Sequence, residues 1–149
     1  MLHQFYIAYY NIKYALYFIL MRQLTDKVIL TTLPHYIACY FAYQTNIPYA
    51  IVCAVSSTFS VLWHRAGETR STLFYLDYGF AFLWFLTELI LVSLSKDLFL
   101  VFVVLAINAA ICVANEIRLS GMSYDTIHSI WHCLSAFKGV FVAYLLLKN

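Results

Sequence analysis

Long apolar runs separated by brief polar breaks set the pattern of this chain. The first run covers about 28–43. A short turn, Gln44 to Ile47, follows, and Pro48 opens a second run that ends near Trp63. His64 to Thr72 is polar. A third run covers 73–94, Ser95 to Asp97 break it, and a fourth covers 98–114. Asn115 to Asp125 form a polar loop, and the last run covers 126–147. Runs of this length predict membrane-spanning helices, several near the lower limit. Breaks this short predict antiparallel neighbours. Residues 5–21 are apolar but tyrosine-rich, with Asn11 and Lys13 at the centre. Tyrosine favours the headgroup level, so an interfacial helix is expected there, with a sixth span as the alternative.

Composition sharpens this picture. The chain is 64% hydrophobic and 11% charged, with a mean hydropathy of +0.79. A soluble domain would carry about twice that share of charge. The expected fold is all-α, a polytopic integral membrane helical bundle of five spans, or six if 5–21 crosses, forming a single domain over 1–149. A net charge of +2 without a basic run gives no sign of a nucleic-acid partner. Cys39, Cys53, Cys112 and Cys133 lie in apolar runs without a C-x-x-C spacing, so they are read as buried small hydrophobes rather than disulfides. The N-terminus lacks the basic start and small-residue cleavage site of a signal peptide.

Parity then places the unusual residues. The second run ends at His64, which defines one membrane face. The third begins on that face, with Asp77 about one turn inside. The fourth returns from the far face, so the last begins beside His64, with His128 and His132. The His64 face would carry Arg22, Lys27, Arg65, Arg70 and Arg118, against Lys96 and Lys148 opposite. By the positive-inside rule the His64 face is expected to be cytoplasmic.

His128 and His132 are four apart, so one helix face offers both imidazoles. His64 on a neighbouring helix would supply a third nitrogen. Three protein ligands with a fourth position open are the pattern of catalytic zinc, whose bound water is acidified and which polarises a carbonyl. Asp77 could hold that water or act as general base. Ser60, one turn before His64, could orient a ligand or donate to a developing oxyanion. Each feature alone has a plainer reading. A histidine pair is weak evidence, a buried Asp can serve helix packing, and a Ser in a membrane helix usually bonds its own i−4 carbonyl. Their convergence on one face favours the metal site.

Ser-x3-His closing one helix, Leu76-Asp77-Tyr78 opening the next and His128-Ser-Ile-Trp-His132 in the last together resemble a known superfamily. It includes alkaline ceramidases, progestin/adipoQ receptors, GPI-anchor lipid remodelling proteins and the myomaker-type proteins. The resemblance covers residues 60–78 and 128–132. It implies a zinc ion on His64, His128 and His132, with Asp77 and Ser60 beside its water. It further implies hydrolysis of an amide or ester bond in a membrane lipid, a sphingolipid or phospholipid. The family has seven spans, three of them between the Asp helix and the His-x3-His helix. Here there is room for one, so the chain reads as a shortened member. Two other functions stay open: a receptor-like or membrane-remodelling protein with structural zinc, and a b-type haem protein using His64 with His128 or His132 as axial ligands.

Other polar residues sit deeper. Glu88 lies eleven residues after Asp77, roughly 16 Å along its helix, and Lys138 lies ten after His128, roughly 15 Å along. Their matched depth predicts a buried pair or a polar contact in a substrate channel; the alternative is that each snorkels from a helix flank. His35 and Cys39 share a helical face, where a hydrogen-bonded core histidine is favoured over a second metal site. Asn108 and Asn115 are expected to bond between helices.

Overall fold

Asp26 starts the first described helix, its carboxylate accepting the Val28 N–H at 2.8 Å. The structure, a computed structural model, describes residues 26–68, 70–94, 97–116 and 122–148. The expected helix or span over 5–21 therefore lies outside the described residues. Helix α1 (Lys27–Thr32) and helix α2 (Pro34–Tyr43) meet at Leu33. Pro34 has no N–H to continue the ladder. The turn tightens there, with Leu33 N–H bonding Leu30 O at 3.3 Å and Tyr36 N–H bonding Leu33 O at 3.0 Å. The run expected as one helix over 28–43 is thus a kinked arm of two short segments.

Three of the four remaining helices are capped by residues visible in the sequence. Asn46 accepts the Tyr49 N–H at 2.9 Å and opens α3 (Ile47–Arg65), with Pro48 in the first turn. Helix α4 spans Thr72–Leu94. Asp97 accepts the N–H groups of Phe99 and Leu100 at the start of α5 (Leu98–Glu116). Ser123 Oγ accepts the Thr126 N–H at the start of α6 (Tyr124–Lys148). The described residues hold helices and no strand. Helices α3, α4 and α6 are long and apolar enough to cross a membrane, and the apolar stretch of α5, Leu98–Val113, is shorter.

Side-chain size sets the packing. Helix α2 lies against α6 and α3, α3 against α4, and α1 against α6. Ala38 and Ala42 on α2 and Ala143 on α6 are fully buried. A Cβ added to Gly139 would meet Trp84 Cζ2 at 2.7 Å and Ala38 Cβ at 2.8 Å. The spacings Ala38-x3-Ala42 and Gly139-x3-Ala143 therefore let two backbones approach closely, which is how membrane helices gain contact where burial from water contributes nothing. The outward faces carry Ile90, Leu98, Phe99, Phe102 and Phe137, all exposed. An apolar surface of this extent suits hydrocarbon and would associate in water. The four cysteines are free, as expected, but only Cys53 is buried; Cys39 is half-buried and Cys112 and Cys133 are exposed. Cys112 lines the main cavity and Cys133 a shallower one.

The Glu88–Lys138 pair forms. Lys138 Nζ stands 2.7 Å from Glu88 Oε2, with both side chains buried. Lys138 also donates to Asn108 Oδ1 at 2.7 Å, and Tyr49 OH donates to Glu88 Oε1 at 3.0 Å. Trp84 Nε1–H in turn donates to Tyr49 OH at 3.3 Å. Four helices, α3 to α6, thus share one polar network. Breaking a buried pair leaves a lone charge, at a cost of about 3–5 kcal/mol, whereas neutralising both partners leaves none.

Two stability predictions follow from this packing. Gly139→Ala should lower stability by about 1–3 kcal/mol through overpacking against Trp84, read as a lower thermal midpoint in detergent. Glu88→Gln and Lys138→Met should each lower that midpoint, and the double variant should recover part of the loss. Simple additivity of the two losses would show that the residues act independently.

Candidate metal centre

His64 sits in the last turn of α3, and the way that helix ends fixes its ring. Ala66 is the C-cap and Gly67 follows with φ of 79°. Gly67 N–H bonds His64 O at 3.1 Å and Glu68 N–H bonds Trp63 O at 3.2 Å. This is the Schellman closure, for which glycine suits the left-handed position. Glu68 is itself left-handed, with φ of 57°. A non-glycine residue in that region is strained by about 1 kcal/mol or more. The turn brings Glu68 Oε1 back to His64 Nδ1 at 2.8 Å. Burial pushes the Glu68 carboxyl up, but hydrogen bonds from His64 and Tyr124 outweigh it and hold it below its ordinary value. Glu68 is therefore a carboxylate at neutral pH and accepts the His64 Nδ1–H.

The other two rings come from the first turns of α6. His128 is held by stacking, between Tyr124 (centroids 5.1 Å apart) and Trp131 (5.0 Å). His132 is held by polar contacts. Its Nδ1 lies 3.3 Å from Thr32 Oγ1 on α1. The Thr32 hydroxyl gives its proton to Val28 O at 2.9 Å, so in this pair His132 Nδ1–H is the donor.

The three Nε2 atoms converge. His64 Nε2 is 3.0 Å from His132 Nε2 and 3.3 Å from His128 Nε2. With Nδ1–H of His64 bound to Glu68 and Nδ1–H of His132 bound to Thr32, both neutral rings carry a lone pair on Nε2. Two lone pairs then face each other at 3.0 Å with no proton between them. A cation at their focus turns this repulsion into coordination. Zinc–nitrogen bonds of about 2.0–2.1 Å in a tetrahedron place nitrogens roughly 3.3 Å apart, close to the two separations from His64, and all three ligand atoms lie within 4.8 Å of one another. The buried cluster of His64, His128 and His132 could hold a metal ion. Hydrogen bonds from the far ring nitrogen are what orient metal-binding histidines.

Asp77 and Ser60 stand beside this cluster and not in it. Asp77 on α4 is 1% exposed, and its carboxylate is not among the converging ligand atoms. Ser60 faces Asp77 from α3. The Ser60 hydroxyl interacts with the Asp77 carboxylate, and beyond that contact Asp77 Oδ2 and Ser60 Oγ are buried with no other hydrogen-bond partner. Both line a cavity of about 480 Å³ that runs inward past Trp84 and Asn108 to Lys138. His64, His128 and His132 are not among the residues that line it.

The remaining polar residues sort themselves. His35 is a hydrogen-bonded core histidine, its Nε2–H donating to His132 O at 2.9 Å. Asn108 bonds Lys138 across helices. The Asn115 side chain lies outside the described residues. Sequence reasoning did not find Glu68, Thr32 or the stacking role of Trp131. Gly67 was the available signal for Glu68, because a glycine just after a helix marks a closing turn that can fold the next residue back.

No family model, curated protein or solved structure matches this chain.

Purified protein should hold near one metal ion per chain, and His132→Ala should lose most of it. Glu68→Ala and Thr32→Val should each weaken binding by about 10–100-fold without abolishing it, read by competition with a chelator. Equal affinity in all three variants would show that these rings do not hold the ion.

Proposed function

We propose that this protein is a zinc-dependent intramembrane hydrolase that cleaves an amide or ester bond of a membrane lipid. One observation carries the reading. Asp77 and Ser60, buried polar groups with no partner beyond each other, line an apolar cavity beside a cluster of three imidazoles. Buried polar groups short of partners are costly and call for a functional explanation. Polar groups converging in an apolar pocket are the usual form of a small-ligand site.

Three neutral imidazoles with a fourth position open are the donor set of catalytic zinc. The 3.0 Å between His64 and His132 Nε2 favours a bare ion over haem, since a porphyrin does not fit between rings so close. Zinc bound there would supply Lewis acidity and an activated water. Asp77 Oδ2 is free to accept a proton from the attacking water and to return it to the leaving group. Ser60 Oγ is free to donate to the oxygen of the scissile carbonyl as charge develops on it. The cavity takes the acyl chain and keeps bulk water out.

The resemblance to alkaline ceramidases favours an amide, ceramide-like bond slightly over a phospholipid ester. In this reading the kinked α1–α2 arm and α5 complete five crossings, and the centre faces the cytoplasm.

Fluorescent ceramide and phospholipid panels test the activity. Wild-type protein should turn over one class. Asp77→Asn should keep its metal and lose at least about a hundredfold in rate, the ordinary contribution of a general base. Loss of metal in that variant would make Asp77 a ligand instead. A metal-loaded wild type that turns over no lipid would point to the receptor-like or membrane-remodelling role with structural zinc.

A further inference from the structure

The cavity lining holds polar groups that the proposed chemistry does not use. Two of them are His35, whose ring packs 5.2 Å from that of His132, and the deeper Lys138. His35 is 3% exposed and lines the cavity. Its Nε2–H donates to His132 O, so in the neutral ring Nδ1 carries a lone pair. That Nδ1 is buried and has no hydrogen-bond partner. Lys138 lines the same cavity. Two of its three N–H donors go to Glu88 and Asn108, which leaves one. Both groups are held against Trp84: the His35 ring centroid is 5.3 Å from the indole, and Lys138 Nζ is 6.0 Å from its ring centroid. A lone pair without a partner and an ammonium with two polar partners for its three N–H groups thus line one apolar chamber.

We propose that His35 and Lys138 form a second subsite, which takes a hydroxyl group carried part-way along the lipid chain. A hydroxyl matches both groups at once, donating to His35 Nδ1 and accepting from Lys138. A ketone satisfies only Lys138, and a plain chain satisfies neither. The charge of Lys138 is already neutralised by Glu88, so a carboxylate would enter without a counter-ion and is excluded by its desolvation cost. Lys138 lies six residues beyond His132 on α6, a rise of roughly 9 Å, and His35 packs beside His132, so the subsite lies on the inner side of the histidine cluster and the matching carbon is found by the probe series. This inference rests on the cavity being the lipid site of the proposed hydrolase, but its test does not use turnover.

The probes are long-chain primary alcohols, which contain no bond to hydrolyse. One series carries a second hydroxyl at successive carbons, a matching series carries a ketone, and the unsubstituted alcohol is the reference. Binding to the full-length protein in detergent is read by quenching of tryptophan fluorescence, since Trp84 and Trp131 line the cavity. One chain position should bind about tenfold or more tighter than the reference, the worth of a hydrogen bond to a charged group. The ketone at that position should fall between the two. His35→Phe removes the acceptor and should erase the preference for hydroxyl over ketone. If that variant does not fold, the two series on wild-type protein decide alone. Equal affinity at every position, or no binding of any alcohol, overturns the subsite. A clear positional preference in a protein without hydrolase activity would sink the hydrolase and leave the subsite standing. Turnover without positional preference would do the reverse.

Discussion

Two imidazole nitrogens, His64 Nε2 and His132 Nε2, face each other at 3.0 Å while the opposite nitrogen of each ring donates its proton elsewhere. Neutral rings in that state repel. All three rings are buried, so solvent does little to screen the repulsion. The arrangement becomes favourable when a cation sits at the focus. Much of the surrounding structure acts to hold these rings in place. A Schellman turn returns Glu68 to His64, a hydroxyl on α1 fixes His132, and two aromatic rings clamp His128. The left-handed backbone at Glu68 is strain retained at the place where it orients a ligand.

Close packing on small residues makes this possible. Because Gly139 and Ala143 present no bulk to α2, the kinked arm lies near enough to α6 for Thr32 and His35 to reach His132. The kink at Leu33–Pro34 matters here as well, since Thr32 and His35 lie on either side of it. Deeper in the bundle the Glu88–Lys138 network ties four helices together. Beside that network lies a chamber with an apolar body whose lining also carries Ser60, Asp77, His35 and Lys138.

The helices were legible because hydropathy and capping residues agree, and the long ones begin and end within about two residues of expectation. The first arm was not. Its apolar run continues unbroken through Leu33 and Pro34, so a reading by hydropathy passes over the kink that the missing N–H imposes. The three histidines were legible from spacing and parity, because antiparallel helices must bring alternate ends to one face. The pairing of Glu88 with Lys138 followed from matched depth. Glu68 was hidden, since a linear reading leaves residues 64–72 as a polar loop and only the left-handed turn brings the carboxylate back. Thr32 gave no signal at all: a hydroxyl inside an apolar run looks the same whether it serves its own helix or a neighbour. Cys112 and Cys133 show a related limit. Composition cannot separate an exposed apolar residue from a buried one in a chain whose helices are apolar on most faces.

The central claim is that three imidazoles, and no carboxylate or thiolate, hold one zinc ion. X-ray absorption at the zinc edge of protein purified in detergent tests it most directly. The account predicts a four-coordinate ion with three imidazole nitrogens at about 2.0–2.1 Å and one further light-atom neighbour. A sulfur neighbour at about 2.3 Å would assign the metal to cysteine, and a spectrum without imidazole scattering would place the ion elsewhere. Either result would contradict the account.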